Sequence, residues 1–503
     1  MTRLVVVGNG MVGARFVEDL LAADDLGRFQ VTVLGAEACE PYNRVLLSEV
    51  VSGAHDLGSL ALPSPRHPRL RVHRGDAVAW LDREDRVVGT RGGRRTRYDL
   101  LVLATGARAR VPELPGLGPE LPAGVHPLRT IDDAREIVAA TLNARSAVVL
   151  GAGVLGLEAA SGLARRGLSV TVVHPAPGLM DRQLDADASR VVETAMTRMG
   201  IAQRVGVGAA AALVRDDRLH GLRLTSGEVL LADLLVVAAG TVPDTDLAAS
   251  AGLRTDRGIV VDAQLATSDR RVHAIGDCAQ PPEGSTGLVA QGWDQARQLA
   301  AHLTGSGQPA RTTDTGPADV VRLKASGLDV VTMGVCGSRR EDDPRRRTVR
   351  LTDPDRGRHV EVVVSDERLV GATCVGAPDV AADLVAAYTR RTPVPVDPAY
   401  LLLPALPSRA GAAGTEPASL AAHATVCRCN GVSKADIVAG HAAGATTAEA
   451  VATATRATTG CGGCLEEVCR LLDWLDGTGP GRPAQAARRS PGEPVLTRRT
   501  TAP

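Results

Sequence analysis

Short, nearly unbroken apolar runs punctuate the first 275 residues of the chain: 4–7, 31–34, 100–104, 147–150, 170–173, 234–239 and 272–275. Runs of this length and β-branched content, closed by glycine, predict buried strands. Helical apolar spacing follows at 14–21, 157–164 and 291–303, and strand alternating with helix predicts an α/β fold. Residues 320–403 carry shorter strand signals at 320–323, 330–333, 348–351, 360–364 and 369–375, then a helix at 380–390. Proline and alanine dominate 404–424, which reads as a linker. The segment 477–503 has no apolar period and is expected to be disordered.

Two of the strand-to-helix junctions share a spacing. The first is Gly8, Gly10 and Gly13; the second is Gly151, Gly153 and Gly156. In a G-x-G-x-x-G turn the first glycine bends the chain, the second admits a pyrophosphate, and the third lets helix and strand pack closely. The helix N-terminus then offers its free N–H groups to the phosphates. One such turn is weak; two copies about 140 residues apart, each between strand and helix patterns, point to two dinucleotide sites. An acid roughly 20 residues past the glycines holds a ribose in such sites, and Glu37 is the candidate for the first. Arg44 can meet phosphate or ring carbonyl oxygens, and Thr105 with Gly106 follows another strand. Gly240 echoes Gly106 after the run 234–239, and Gly276 with Asp277 follows the last.

Length sets a prior of roughly three or four domains. Net charge is zero and aromatics are 2%, which excludes a nucleic-acid binder built on a basic face and stacking rings. No apolar run is long enough to span a membrane, and the N-terminus opens directly on a strand, so a cytoplasmic protein without a leader is expected. Nine cysteines in so long a chain do not make a disulfide scaffold.

Four of those cysteines cluster. Cys427 and Cys429 form a C-x-C, answered 32 residues later by the C-x-x-C of Cys461 and Cys464. Four thiolates hold zinc or an iron–sulfur cluster. Zinc usually takes C-x-x-C at both ends; the tighter C-x-C resembles the small helical [2Fe–2S] domain of bacterioferritin-associated ferredoxin. Cys469, five residues on, reads as a core thiol.

Residues 1–320 resemble the two-dinucleotide flavoproteins of the pyridine-nucleotide oxidoreductase family. The resemblance implies a discontinuous FAD domain (1–125 and 243–319), an inserted NAD(P)H domain (126–242), a small α/β domain (320–403), the linker (404–424), a helical [2Fe–2S] domain (425–476) and the tail (477–503). It places FAD against Gly8, Gly10, Met11, Gly13, Glu37, Arg44, Ser48, Thr105, Gly106, Arg129, Gly276 and Asp277. It places NAD(P)H against Gly151, Gly153, Leu155, Gly156, His174 and Gly240, with Glu158 as the catalytic residue near the nicotinamide ring. The family's redox cysteine pair is absent, and Cys39 reads as an ordinary small residue. His174 stands where an acid would mark NADH or an arginine NADPH, so the coenzyme stays open.

A flavoprotein half followed by this cysteine domain resembles the large subunit of NAD(P)H nitrite reductase and the electron-transfer subunit of assimilatory nitrate reductase. The cofactors so implied are FAD, NAD(P)H and one [2Fe–2S] cluster. Only 39 residues follow Cys464, and Cys469 is their only cysteine, so the sirohaem half of a nitrite reductase is not expected. The expected partner is a molybdenum-dependent nitrate reductase catalytic subunit or a nitrite reductase, with pairing of two copies through the small domain. The alternatives are a ferredoxin- or rubredoxin-type reductase and, in another class, a regulatory or iron-storage binding module.

Overall fold

The computed structural model describes residues 1–306, 319–325, 327–337, 343–403, 417, 420–427, 430–459 and 463–477. The chain divides into two compact units, Met1–Leu406 with Thr459–Cys461, and Pro407–Thr458 with Gly462–Pro503.

In the first unit, two five-stranded parallel sheets repeat one plan. The first has the order Val272–Ala274, Leu100–Leu103, Thr2–Val7, Phe29–Leu34, Leu70–His73. The second runs Ala202–Val205, Ser169–His174, Ser146–Leu150, Leu234–Val237, Val125–Pro127. Each glycine turn follows a strand with a partner on both sides. The unbroken apolar runs at 4–7 and 147–150 are buried at every position, as strands covered on both faces require. The helices Met11–Ala23 and Val154–Arg165 follow the two turns. The helix Val289–Thr304 packs on the first of these, where the buried Trp293 donates its indole N–H to the Met11 carbonyl at 3.3 Å.

Two antiparallel segments, Ala107–Ala109 and Thr241–Pro243, tie the two sheet domains together. At their ends the Asp244 N–H bonds the Gly106 carbonyl and the Arg110 N–H bonds the Gly240 carbonyl, both at 2.9 Å. Gly106 and Gly240 thus occupy equivalent corners, with φ of +74° and +99°. The C-terminal part of the unit holds a five-stranded antiparallel sheet, Val321–Ala325, Leu328–Gly334, Arg368–Val375, Arg358–Ser365 and Arg347–Asp353, covered by the helix Pro378–Arg390. Its strands and helix contain or overlap the stretches read from the sequence.

The second unit is small. A two-stranded ribbon, Thr425–Cys427 with Val432–Ser433, leads into helices Lys434–Ala442, Ala448–Thr455 and Leu465–Leu475. Ser433 and Asp436 close the first helix in a capping box. Its core is Val432, Ile437, Val451, Val468, Leu471 and Leu472 together with Cys427 and Cys464. Cys469 is exposed, which corrects its reading as a core thiol. The buried face of its helix is set by Val468, Leu471 and Leu472, and position 469 falls beside that stripe. Most of the linker 404–424 and all but Gly477 of the tail 477–503 lie outside the described residues.

Candidate functional site

The two glycine turns show which glycines the chain itself requires. Gly8 and Gly151 have φ of +116° and +115°. A Cβ on them would stand 2.1 Å from the Ala104 carbonyl oxygen and 2.3 Å from that of Ala238. A Cβ on Gly13 or Gly156 would meet the Gly8 or Gly151 carbonyl oxygen at 2.2 or 2.0 Å. The middle glycines differ. The nearest atom to a Cβ on Gly10 is Arg44 Nε at 4.0 Å, and Gly153 has nothing within 4 Å. The protein fold does not demand glycine there. The open space fits a phosphate approaching the backbone at each helix N-terminus.

Beside the first turn lies a cavity of about 300 Å³, lined among others by Asn9, Val33, Glu40, Leu62, Arg66 and Arg74. The Asn9 side-chain NH₂ is buried and has no hydrogen-bond partner among the described residues. An orphaned donor in a cavity next to the glycine turn fits the nucleotide half of FAD. Glu37 is not among the residues lining that cavity. Its carboxylate accepts from the Tyr42 hydroxyl at 2.7 Å and pairs with Arg44. Burial pushes the Tyr42 phenol well above its ordinary range, so it stays a donor.

Three of the other expected FAD residues, Arg44, Arg129 and Asp277, form one chain of contacts. Arg44 bonds the Arg129 carbonyl at 3.3 Å, and Arg129 reaches Asp277 at 2.7 Å and the Ala107 carbonyl at 3.0 Å. Gly276 donates its N–H to Gln295 at 2.7 Å, and Thr105 bonds the Asp244 carbonyl at 2.8 Å. Ser48 turns toward the second domain, where its hydroxyl donates to Glu158 at 2.6 Å.

Around the second turn, Glu158 is buried within the helix Val154–Arg165 and Leu155 is part-buried in the first turn. His174 ends the second strand, with Nε2 2.9 Å from Asp181. Asp181 went unread in the sequence because it lies seven residues beyond the strand end.

In the second unit Cys427 and Cys464 are buried together. A hydrogen bond with Cys464 is the largest influence holding the Cys427 thiol well below its ordinary range. The Asn430 and Thr458 N–H groups and the Asn430 amide add to it, against burial. The Asn430 amide stands 3.7 Å from the Cys427 sulfur and is itself fixed by the Arg456 carbonyl at 2.6 Å. Donors gathered on a sulfur that tends to ionise suit a thiolate ligand. Cys429 and Cys461 lie outside the described residues.

Residues 2–299 match the pyridine nucleotide-disulphide oxidoreductase family. The chain belongs to that family. Residues 425–474 match the BFD-like [2Fe-2S] binding domain. Among curated relatives, the nitrite reductase [NAD(P)H] of Bacillus subtilis (strain 168) is 33% identical over 93% of this chain and 57% of its own length. The assimilatory nitrate reductase electron transfer subunit of the same organism is 32% identical over 96% of this chain and 61% of its own. The chain thus spans about three fifths of the length of these relatives. Among solved structures, the covalent putidaredoxin reductase–putidaredoxin complex is 25% identical with a TM-score of 0.70, covering 81% of this chain and 97% of that one.

Membership of the oxidoreductase family brings FAD and NAD(P)H as cofactors, and the C-terminal match brings a [2Fe–2S] cluster. The two Rossmann-like units and the C-terminal cysteine domain expected from the sequence are borne out. By that membership the chain is an FAD-dependent NAD(P)H oxidoreductase. Among the described residues, no helix is long and apolar enough to cross a membrane.

Proposed function

We propose that this chain passes electrons from NAD(P)H to the catalytic subunit of an assimilatory nitrate reductase. Gly8, Gly10, Gly13, Arg44, Arg129 and Asp277 hold FAD in this reading; Gly151, Gly153 and Gly156 hold the coenzyme; Cys427, Cys429, Cys461 and Cys464 hold the cluster. FAD accepts two electrons as a hydride and a [2Fe–2S] cluster carries one at a time, which is the conversion a metal-centred acceptor needs. The protein's own task is position. Gly10 and Gly153 keep the phosphate paths clear, while Ser48 and Glu158 fix one domain's helix against the other's.

The observation that carries the reading is the conjunction of two glycine cradles, each with its middle glycine facing open space, and a buried cysteine pair in a separate unit. The similarity to the nitrate reductase electron transfer subunit over 96% of this chain supports the choice of acceptor. Purified chain with NADH should reduce an artificial one-electron acceptor and leave nitrate untouched until the molybdenum subunit is added. Nitrate reduction by the chain alone contradicts this.

The match to nitrite reductase supports a second reading, in which the electrons serve nitrite reduction. Adding a sirohaem nitrite-reducing partner in place of the molybdenum subunit separates the two. In a ferredoxin- or rubredoxin-type reductase acting directly from FAD, Cys427→Ser would leave partner reduction intact; here it should abolish it.

A further inference from the structure

We infer that Asp181, anchored by His174, meets the adenosine ribose of the coenzyme and makes the second nucleotide site select NADH over NADPH. This rests on reading the turn at Gly151–Gly153–Gly156 as the pyridine-nucleotide site.

The end of the second strand is where such a site meets either a 2′-hydroxyl or a 2′-phosphate. Here that strand, Ser169–His174, pairs along its length with Ser146–Leu150, the strand that enters the glycine turn. It ends on an imidazole. The loop beyond it then folds back. Met180, buried and in the left-handed region at φ +51°, donates its N–H to the Ala152 carbonyl at 2.9 Å, so the loop is pinned to the glycine turn itself. Asp181 is the next residue, and its carboxylate lies 2.9 Å from His174 Nε2. It is therefore fixed from two directions, by the strand end and by the turn. The Asp181 side chain keeps 43% of its exposure while His174 keeps 15%, so the carboxylate is the outer member of the pair.

A carboxylate at this place accepts a hydrogen bond from a ribose 2′-hydroxyl and repels a 2′-phosphate. The cation on the adjoining strand is engaged elsewhere: Arg204 binds Glu228 through both Nε and Nη2. Arg182, next in sequence to Asp181, is the residue that could reverse the preference.

The test measures binding of NAD⁺ and NADP⁺ to the full-length, FAD-loaded protein by titration calorimetry, alongside flavin reduction by NADH and NADPH. The wild type should bind NAD⁺ about tenfold tighter or more, the scale for a half-exposed like-charge contact. Asp181→Asn should shrink that ratio, Asp181→Arg should invert it, and His174→Ala should shrink it by freeing the carboxylate. Retained FAD content shows that each variant is folded. Equal wild-type affinities, or an unchanged ratio in Asp181→Asn, overturn the inference. So does a preference for NADP⁺ that Arg182→Ala removes, which would give the site to Arg182. Failure of the electron-transfer reading looks different: the coenzyme binds with the expected ratio but leaves the flavin oxidised.

Discussion

The Ser48 hydroxyl donates to the Glu158 carboxylate at 2.6 Å, joining the helix Leu47–Ser52 of the first dinucleotide domain to the helix Val154–Arg165 of the second. The same two helices are fastened again at their far ends. Arg166 donates to the Val50 and Val51 carbonyls, satisfying acceptors left open at a helix C-terminus. Between these bonds Gly162 admits the close crossing, since a Cβ there would stand 3.0 Å from the Ser52 backbone. A carboxylate and an arginine on one helix thus hold the other in fixed register.

Register of this kind matters for hydride transfer, where a misplacement of about 1 Å can cost roughly a hundredfold. Glu158→Gln should slow flavin reduction by NADH roughly ten- to a hundredfold while FAD content stays at the wild-type level. Ser48→Ala should have the smaller effect of the two, because it leaves the carboxylate in place. Stopped-flow absorbance at saturating NADH reads both. Wild-type rates in Glu158→Gln would remove this residue from the reacting site.

Gly10 and Gly153 separate the two nucleotides. Because a Cβ at either position meets no protein atom closer than 4.0 Å, Gly10→Val and Gly153→Val should fold. The first should purify with little FAD. The second should keep its FAD and bind NADH at least about tenfold more weakly. Flavin content per chain and coenzyme titration report the two results; full FAD occupancy in Gly10→Val contradicts the placement of the pyrophosphate.

Asp24 supplies a pH-dependent part of stability. Its carboxylate is buried and accepts the N–H groups of Arg28 at 3.0 Å and Phe29 at 3.1 Å, with Arg69 beside it. Burial pushes its pKa up, but the backbone donors and Arg69 outweigh that and leave it lowered. A carboxyl with a depressed folded-state pKa stabilises fully above its unfolded value, about 3.9, and loses that contribution as pH falls through the folded value. Asp24→Ala should therefore cost roughly 3 kcal/mol at neutral pH, the scale for breaking a buried pair, with the gap to wild type narrowing below about pH 4. Urea unfolding at a series of pH values follows it. A gap that widens on acidification would refute the assignment.

Much of the fold was legible because buried parallel strands need unbroken apolar runs, and those at 4–7, 147–150 and 170–173 lie within the sheet strands they predict. The glycine spacing was legible for the same kind of reason: steric demand at Gly8, Gly13, Gly151 and Gly156 leaves no other residue. What the spacing could not show was the partner of each polar side chain. Ser48, read as an FAD contact, bonds Glu158 across 110 positions. Glu37, expected at the ribose, is engaged by Tyr42 and Arg44. Asp181 reaches the strand end only because Met180 takes a left-handed turn, which no local pattern announces. Cys469 was misread because the buried stripe of a short helix depends on what it packs against.

The cysteine unit should be separable in function from the nucleotide domains. Cys427→Ser should retain flavin reduction by NADH at wild-type rate, lose the cluster's visible absorption and electron paramagnetic resonance signal, and lose transfer to a one-electron acceptor protein. Iron and sulfide analysis checks the loss directly. Undiminished iron in Cys427→Ser would mean that other residues hold it.

An anaerobic titration of the full-length protein with NADH, followed by visible absorbance and electron paramagnetic resonance, reads both cofactors at once. The flavin band should bleach, and a [2Fe–2S] signal should rise with added NADH toward one spin per chain. A flavin that bleaches while no cluster signal appears, with zinc found in place of iron, would contradict transfer from the nucleotide sites to the cysteines.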